Sequence, residues 1–381
     1  MTTPPLDRVR VEALGPVGSR ASEFQFEDFT SFSLRSSMVT ASECSFELGD
    51  ETGYGRLLEL VGLGSRFRVF VNDRLRLTGR VEMSDGELSA EKSLTQSFTV
   101  RTKLSDAIVS SAPQGVRTRG VSIKQFLIAV YGSVGVGAGD FDFRGDVSRD
   151  LITGRRSKGK KPPVPLDPIK EDETKVQPPE AVFAAADRLL RRHGYLHWDG
   201  PDGKIVVAAP DDSQDPSYVL RSLSGDGAQD NNVIGAQRTQ DVSEAATELG
   251  VFGSTRKPGV PLGKASATQR NDALIRAGFT RRIVILDESM GTKSLAERRA
   301  AREMATRRRG LERLTVTVDG LAYRDGLDPI PWAPDTTVDC LFETLGGALG
   351  TYYVEDVQMD RSADRGDTTR LGLVQKGTWI L

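Results

Sequence analysis

Between Arg66 and Met83 the chain reads RFRVFVNDRLRLTGRVEM, with apolar and polar residues alternating on both sides of a polar interruption. Side chains alternate faces along a strand, and residues opposite each other in a hairpin share a face. The pattern therefore predicts two paired strands. With Asn72, Asp73 and Arg74 as a three-residue loop, Val71 faces Leu75, Val69 faces Leu77 and Phe67 faces Gly79, so one face is apolar throughout. A two-residue loop would set Val71 against Arg74 and Leu77 against Arg68, mixing the faces, so three residues is the preferred reading. Arg68, Arg76, Arg80 and Glu82 then share a face that meets water or a polar partner.

Strand signals run from Val9 to about Val100, including Phe24 and Phe26, a turn signal at Asp85-Gly86, and the alternation in SFTVRT. A helix is predicted at SIKQFLIAVYG, capped by Ser122, with Phe126, Leu127 and Val130 on one face and Gly132 as its stop. GSVGVGAGD follows that helix and leads into FDF, the wrong context for a dinucleotide-binding loop, so it reads as a connector. The clearest break in composition is GRRSKGKKPPVPLDPIKEDETKVQPPE. There Arg155, Arg156, Lys158, Lys160 and Lys161 precede a proline-rich run and an acidic cluster at Glu171, Asp172 and Glu173. With no apolar period to bury, it is predicted to be an extended arm, either a solvated linker or a partner contact.

Order returns with PPEAVFAAADRLLRRHG, a helix burying Val182, Phe183, Ala186, Leu189 and Leu190 and ending at Gly194. YLHWDGPDGKIVVAA predicts a strand pair turning at Asp202-Gly203, and TELGVFGST and RRIVILDE predict further strands. SLAERRAAREMATRRRG predicts a helix with a Ser294/Glu297 capping box, arginines in the last turns, and Gly310 closing it. Alternation resumes in LTVTVDG, TVDCLFE, YYVEDVQM and RLGLVQKGTWIL. The fold class expected is α+β, β-rich and multidomain.

At 381 residues the chain exceeds one usual core, and two to four domains are expected. The 51 Lys+Arg against 53 Asp+Glu give a net charge of -2, so contact with nucleic acid or anionic membrane would have to be local. MTTPPLDRVRVEALG lacks the apolar core of a signal peptide and no run approaches a membrane helix, so a cytosolic product with no stable membrane insertion is expected. Cys44 and Cys340 lie far apart outside any CxxC, predicting buried thiols rather than a disulfide or metal site. His193 and His197 have zinc-like spacing, but Gly194 ends the helix between them and no third ligand is near. Asp140/Asp142 and Asp211-Asp212 sit in loop-like contexts, and no GxSxG, Walker loop or HExxH occurs. No catalytic residue, cofactor or metal is assigned, which favours a protein that works through its surfaces.

VFVNDRLRLTGRVE followed by FTVRTKLSDAIVSSA resembles the N-terminal part of the Mu-like phage baseplate hub family, where an LxLTGxV strand is followed by a strand entering an aspartate-containing turn. QPPEAVFAAADRLLRRHGYLHWDGPDGKIVVAAP is similar to that family's middle segment. RRIVILDESMGTKSLAERRAAREMATRRRGLERLTVTVDGL, IPWAPDTTVDC and YYVEDVQMDRSADRGDTTRLGLV are similar to its C-terminal segment. The pieces cover nearly the whole chain in order; the basic arm departs from the pattern. The resemblance implies a homotrimeric hub, related to the N-terminal half of type VI secretion VgrG spike proteins, that joins a sixfold tail tube to a threefold spike. It implies two related β-barrel domains plus smaller α/β domains. The expected divisions are 1–104 (first barrel), 105–153 (helical connector), 154–179 (arm), 180–235 (small α/β domain), 236–325 (second barrel-like domain, containing RRIVILDE, LTVTVDG and the Arg-rich helix) and 326–381 (C-terminal β-rich segment), with discontinuous domains allowed. Implied partners are the central spike, the tail tube or tube-initiator protein, the tape measure protein and baseplate wedge proteins, in a virion tail assembled in host cytoplasm. DNA would be met only in passage. The alternatives are a tail-associated cell-wall-degrading enzyme and a nucleic-acid-binding module acting through the arm.

Overall fold

The computed structural model describes residues 7–14, 24–49, 61–88, 94–151, 175–176, 179–224, 230–253, 265–287, 292–325, 328–343, 345 and 349–378. The first part of the chain is strand: β1 (Val9–Leu14), β2 (Phe24–Phe26), β3 (Ser31–Ser37), β4 (Glu43–Gly49), β5 (Arg66–Val71), β6 (Arg74–Leu88) and β7 (Leu94–Arg101). A middle region follows with helices α1 (Lys103–Val109), α2 (Ile123–Tyr131) and α3 (Val182–Arg192) around β8 (Phe141–Phe143), β9 (Leu196–Asp199) and β10 (Ile205–Ala208). Next come β11 (Tyr218–Ser222), β12 (Val233–Gln240), β13 (Glu248–Gly253), β14 (Ser266–Arg270), α4 (Asp272–Arg276), β15 (Arg282–Asp287) and α5 (Lys293–Leu311). The chain closes with β16 (Glu312–Asp319), β17 (Ala322–Tyr323), β18 (Ile330–Pro331), β19 (Thr336–Phe342), β20 (Leu349–Ser362) and β21 (Gly366–Gln375).

One 13-stranded sheet runs β12-β16-β21-β20-β3-β4-β7-β6-β5-β1-β2, with β19 also on β20 and β11 beside β19. Within it the run β3-β4-β7-β6-β5-β1 has a counterpart in β12-β16-β21-β20-β19-β11, the same positions in the same chain order. In both, a long central strand carries one extra residue: the register shifts between Val81 and Met83 in β6 and between Val354 and Asp356 in β20. The runs differ at one end, where β1 is antiparallel to β5 and β11 is parallel to β19. They join through β3 and β20, with Leu34 opposite Met359.

Both runs share one core. Phe32, Phe46, Phe67 and Phe98 from the first pack in the same cluster as Val316, Phe342, Val354 and Leu371 from the second. Cys44 and Cys340 are free thiols buried in it, as their spacing predicts. The middle region has its own core, in which Phe126, Leu127 and Val130 of α2 meet Val182, Leu189 and Leu190 of α3. The capping box of α2 uses Ser122 and Gln125, and Gly194 takes the left-handed φ of 77° that ends α3. A separate three-stranded sheet, β14-β13-β15, lies under α5 and is inserted between β12 and β16.

Several expectations are corrected. The opening hairpin turns on two residues, Asn72 and Asp73, both at positive φ (49° and 59°) as a tight primed turn requires. Val71 therefore does pair with Arg74, but a bulge at Arg76 restores the phase, and Val69 faces Leu77 and Phe67 faces Gly79 as expected. The Arg76 guanidinium turns toward the second run, and its Nη2 donates to the Trp332 carbonyl at 2.5 Å. Asp85-Gly86 is no turn; both lie in β6, opposite Ser97 and Gln96. The aspartate-containing turn after β7 is helix α1, which includes Asp106. At α5 the cap is Thr292, whose side chain accepts from the Leu295 N–H, and Gly310 lies inside the helix.

The sequence pattern groups the RRIVILDE strand and the LTVTVDG strand in one second barrel. They are β15 and β16, and they belong to different sheets, because β15 pairs in parallel with β13. Among the described residues no strand pairing closes either run into a barrel.

Gly79, in the LTG stretch, is required by close approach. A Cβ there would stand 2.5 Å from the Arg101 carbonyl oxygen, a backbone atom that cannot move aside.

Candidate interaction surface

Because the two runs form one sheet, residues far apart in sequence fall into rows across it. One row crosses eight strands from β5 to β16: Arg66, Arg80, Arg101, Glu43, Arg35, Gln358, Arg370 and Thr317. Five of the eight are arginines, so the face opposite the core is polar along this row across those eight strands. The neighbouring row, Met83, Thr99, Ser45, Ser33, Asp360 and Thr368, is mostly hydroxyl-bearing.

The arginines are partly paired. Arg101 Nε donates to Glu43 at 2.6 Å, which raises its pKa, and Arg35 meets Asp356 at 3.2 Å. Arg80 pairs with Asp106 of α1. Arg370 and Arg313 have no ion pair with a described residue. They line, with Arg35, Glu355, Asp356 and Gln358, a depression of about 360 Å³ where the runs join. Beneath it, buried Glu355 pairs with Arg309, whose pKa is pulled down to about 10 by burial and by Arg191 and Arg313.

Glu355 and Glu82 are the two extra residues in the central strands. Each binds the helix beside it: Glu82 accepts from the Ser105 hydroxyl of α1 at 2.6 Å, and Glu355 holds Arg309 of α5. The sequence carries this repeat openly, since 78–82 reads TGRVE and 351–355 reads TYYVE. Reading segments singly misses it.

The candidate chemical groups do not converge. His193 Nε2 lies 2.9 Å from the Leu151 carbonyl, and His197 is buried against Phe183 and Tyr131. Asp140 pairs with Lys103 and Asp142 with Arg144, while Asp211 accepts from Ser213 in its own loop. Among the described residues no three His, Cys, Asp or Glu side chains are grouped to hold a metal ion, and no helix is long and apolar enough to cross a membrane. Arg155, Arg156, Lys158, Lys160 and Lys161 lie outside the described residues.

No protein-family model matches the chain, and no curated protein matches it in sequence. Solved structures do. The tail protein of Neisseria meningitidis MC58 superposes with a TM-score of 0.70 at 17% identity, over 99% of this chain and 98% of that one. The 43 kDa tail protein of prophage MuSo2 from Shewanella oneidensis gives 0.71 at 16% identity, over 98% and 99%. The chain has the fold of phage tail proteins. At 0.52 and 11% identity, over 96% of this chain and 76% of that one, it is also similar to the E. coli c3393 protein. That protein is a type VI secretion component described as similar to the T4 tail proteins gp27 and gp5. The fold thus agrees with the family suggested by the LTG hairpin and the C-terminal segments.

Proposed function

We propose that the chain is a non-catalytic structural hub of a contractile tail or related injection device, three copies of which form a ring joining the sixfold tail tube to the threefold central spike. The observation that carries this reading is the repeated strand order. A trimer of a chain with two equivalent six-strand runs offers six similar lobes to a sixfold tube and keeps three identical positions for a spike. The likeness to phage tail proteins over nearly the whole chain supports the same setting. The second of the two barrel domains is then discontinuous. One is built on β1 to β7; the other is built on β11, β12, β16 and β19 to β21, with the β13 to α5 segment as its insertion. The arginine-rich row suits the wall of a ring through which anionic DNA passes. The spike, the tube or its initiator, the tape measure and the wedge proteins are the partners this position supplies, in the virion tail after assembly in host cytoplasm.

The test is copy number. A cryo-EM map of the assembled particle should show three chains per tail, each contributing two superposable lobes; any other number overturns the reading.

The basic arm is assigned here to contact with an acidic partner or passing DNA, because five positive charges in a proline-bounded segment can reach outward without disturbing a core. Deleting 154–161 should leave the thermal midpoint of the purified chain unchanged and lower the yield of complete tails. Loss of cooperative unfolding would place the arm in a core instead.

A further inference from the structure

The internal joint between the runs predicts how copies join each other. Along one edge of β20, residues 349–354 pair with β19 and residues 356–362 pair with β3. The equivalent strand β6 has β5 beside residues 74–80, but among the described residues no strand lies beside 83–88 on that edge. The strand equivalent to β3 is β12, which among the described residues pairs only with β16 and ends the sheet. Among the described residues each copy therefore has one unfilled place and one unused strand of matching kind.

We propose that β12 of one copy pairs antiparallel with the second half of β6 of the next, repeating the β3–β20 joint; this rests on the ring reading above. The register follows by matching Val81 with Val354 and carrying the ladder pairs across, which sets Gln240 opposite Ser84, Arg238 opposite Gly86 and Ala236 opposite Leu88. The backbone directions fit. The Asp241 N–H donates to the Leu311 carbonyl at 3.0 Å, so by alternation Gln240, Arg238 and Ala236 aim theirs off the free edge. On β6 the Val81 N–H donates to the Ser65 carbonyl, away from β7, and the extra residue Glu82 resets the alternation so that Ser84, Gly86 and Leu88 aim outward. In the internal joint the Met38 N–H donates to the Glu355 carbonyl, which gives the same set of bonded pairs. Unpaired edges of this length are otherwise a liability for aggregation.

The probe is a cysteine pair, Asp85→Cys with Thr239→Cys, which the register makes direct neighbours at a non-hydrogen-bonded position close enough for a disulfide. Asp85→Cys with Gln240→Cys, one residue out of register and on opposite faces, is the control. Both native cysteines are buried. Mild oxidation of the full chain should give a covalent ladder ending at three chains for the matched pair and none for the offset pair. Equal cross-linking by both pairs, or ladders extending beyond three, overturns the pairing. If no cross-link forms although tail particles contain three copies, the pairing fails and the hub reading stands. A second variant, Ala236→Pro, removes one outward N–H and should weaken self-association without lowering the monomer's melting temperature. Unchanged self-association also overturns the pairing.

Discussion

Replacing Trp332 with alanine should destabilise the chain by about 3–5 kcal/mol, a large share of a typical domain's total. The indole is 1% exposed and packed within an aromatic cage: its ring centroid lies 4.5 Å from Tyr218, tilted, and 5.5 Å from Tyr323, edge-on. The cage is held at its rim, where the Tyr218 hydroxyl donates to the Pro331 carbonyl and Arg76 of the first run donates to the Trp332 carbonyl. Those bonds use backbone oxygens that alanine keeps, so the loss measures packing alone. The indole N–H has no partner among the described residues, so Trp332→Phe should cost much less than Trp332→Ala. Urea unfolding of the three chains checks this; a Phe variant as unstable as the Ala variant would show that the N–H has a partner.

Acidification should act on two neighbouring buried groups with opposite signs. His197 lies in an apolar setting with no hydrogen-bond partner for either ring nitrogen among the described residues, and burial pulls its pKa from 6.5 down to about 3. The unfolded chain takes up this proton first, so stability falls as pH drops below 6.5. Asp199 accepts from the Ser42 N–H at 2.8 Å and the Thr102 hydroxyl at 2.6 Å, yet burial raises its pKa from 3.8 to about 6. The folded chain takes up that proton first, so stability rises as pH falls through 6 toward 3.8. Between pH 7 and pH 4 the first effect is about 3 kcal/mol and the second about 2 kcal/mol. Relative to the wild type, His197→Phe should therefore gain about 3 kcal/mol over that range and Asp199→Asn should lose about 2 kcal/mol. Denaturation series at several pH values read the slopes directly, and parallel slopes for the two variants would refute the assignment.

Elements that depend on local periodicity were legible in the sequence. The Ser122 cap of α2, the α3 face from Val182 to Leu190 and the β9–β10 turn at Gly203 all follow from patterns within one segment. What escaped depends on partners. An extra residue such as Arg76 or Glu82 looks like ordinary alternation until the opposite strand shows that one position is doubled. Asp85-Gly86 has turn chemistry, but a long partner strand holds it extended. RRIVILDE and LTVTVDG look alike as strands, and only pairing with β13 separates the first from the large sheet. The arginine row is invisible in sequence order because it takes residues from 35 to 370 into one line.

The β3–β20 joint also bears on how the chain is made. Ser33 and Asp360, whose side chains hydrogen-bond across it at 2.6 Å, are 327 residues apart. The partner of β3 leaves the ribosome 327 residues after β3 itself, so the first run must wait with an open edge in the meantime. Contacts this distant slow folding, because chain closure precedes any gain from pairing. On a crowded polysome the waiting β3 is also open to the β20 of a neighbouring nascent chain, in competition with its own. Low expression temperature and sparse ribosome loading then favour the monomeric product, and the side product they suppress is a strand-exchanged dimer.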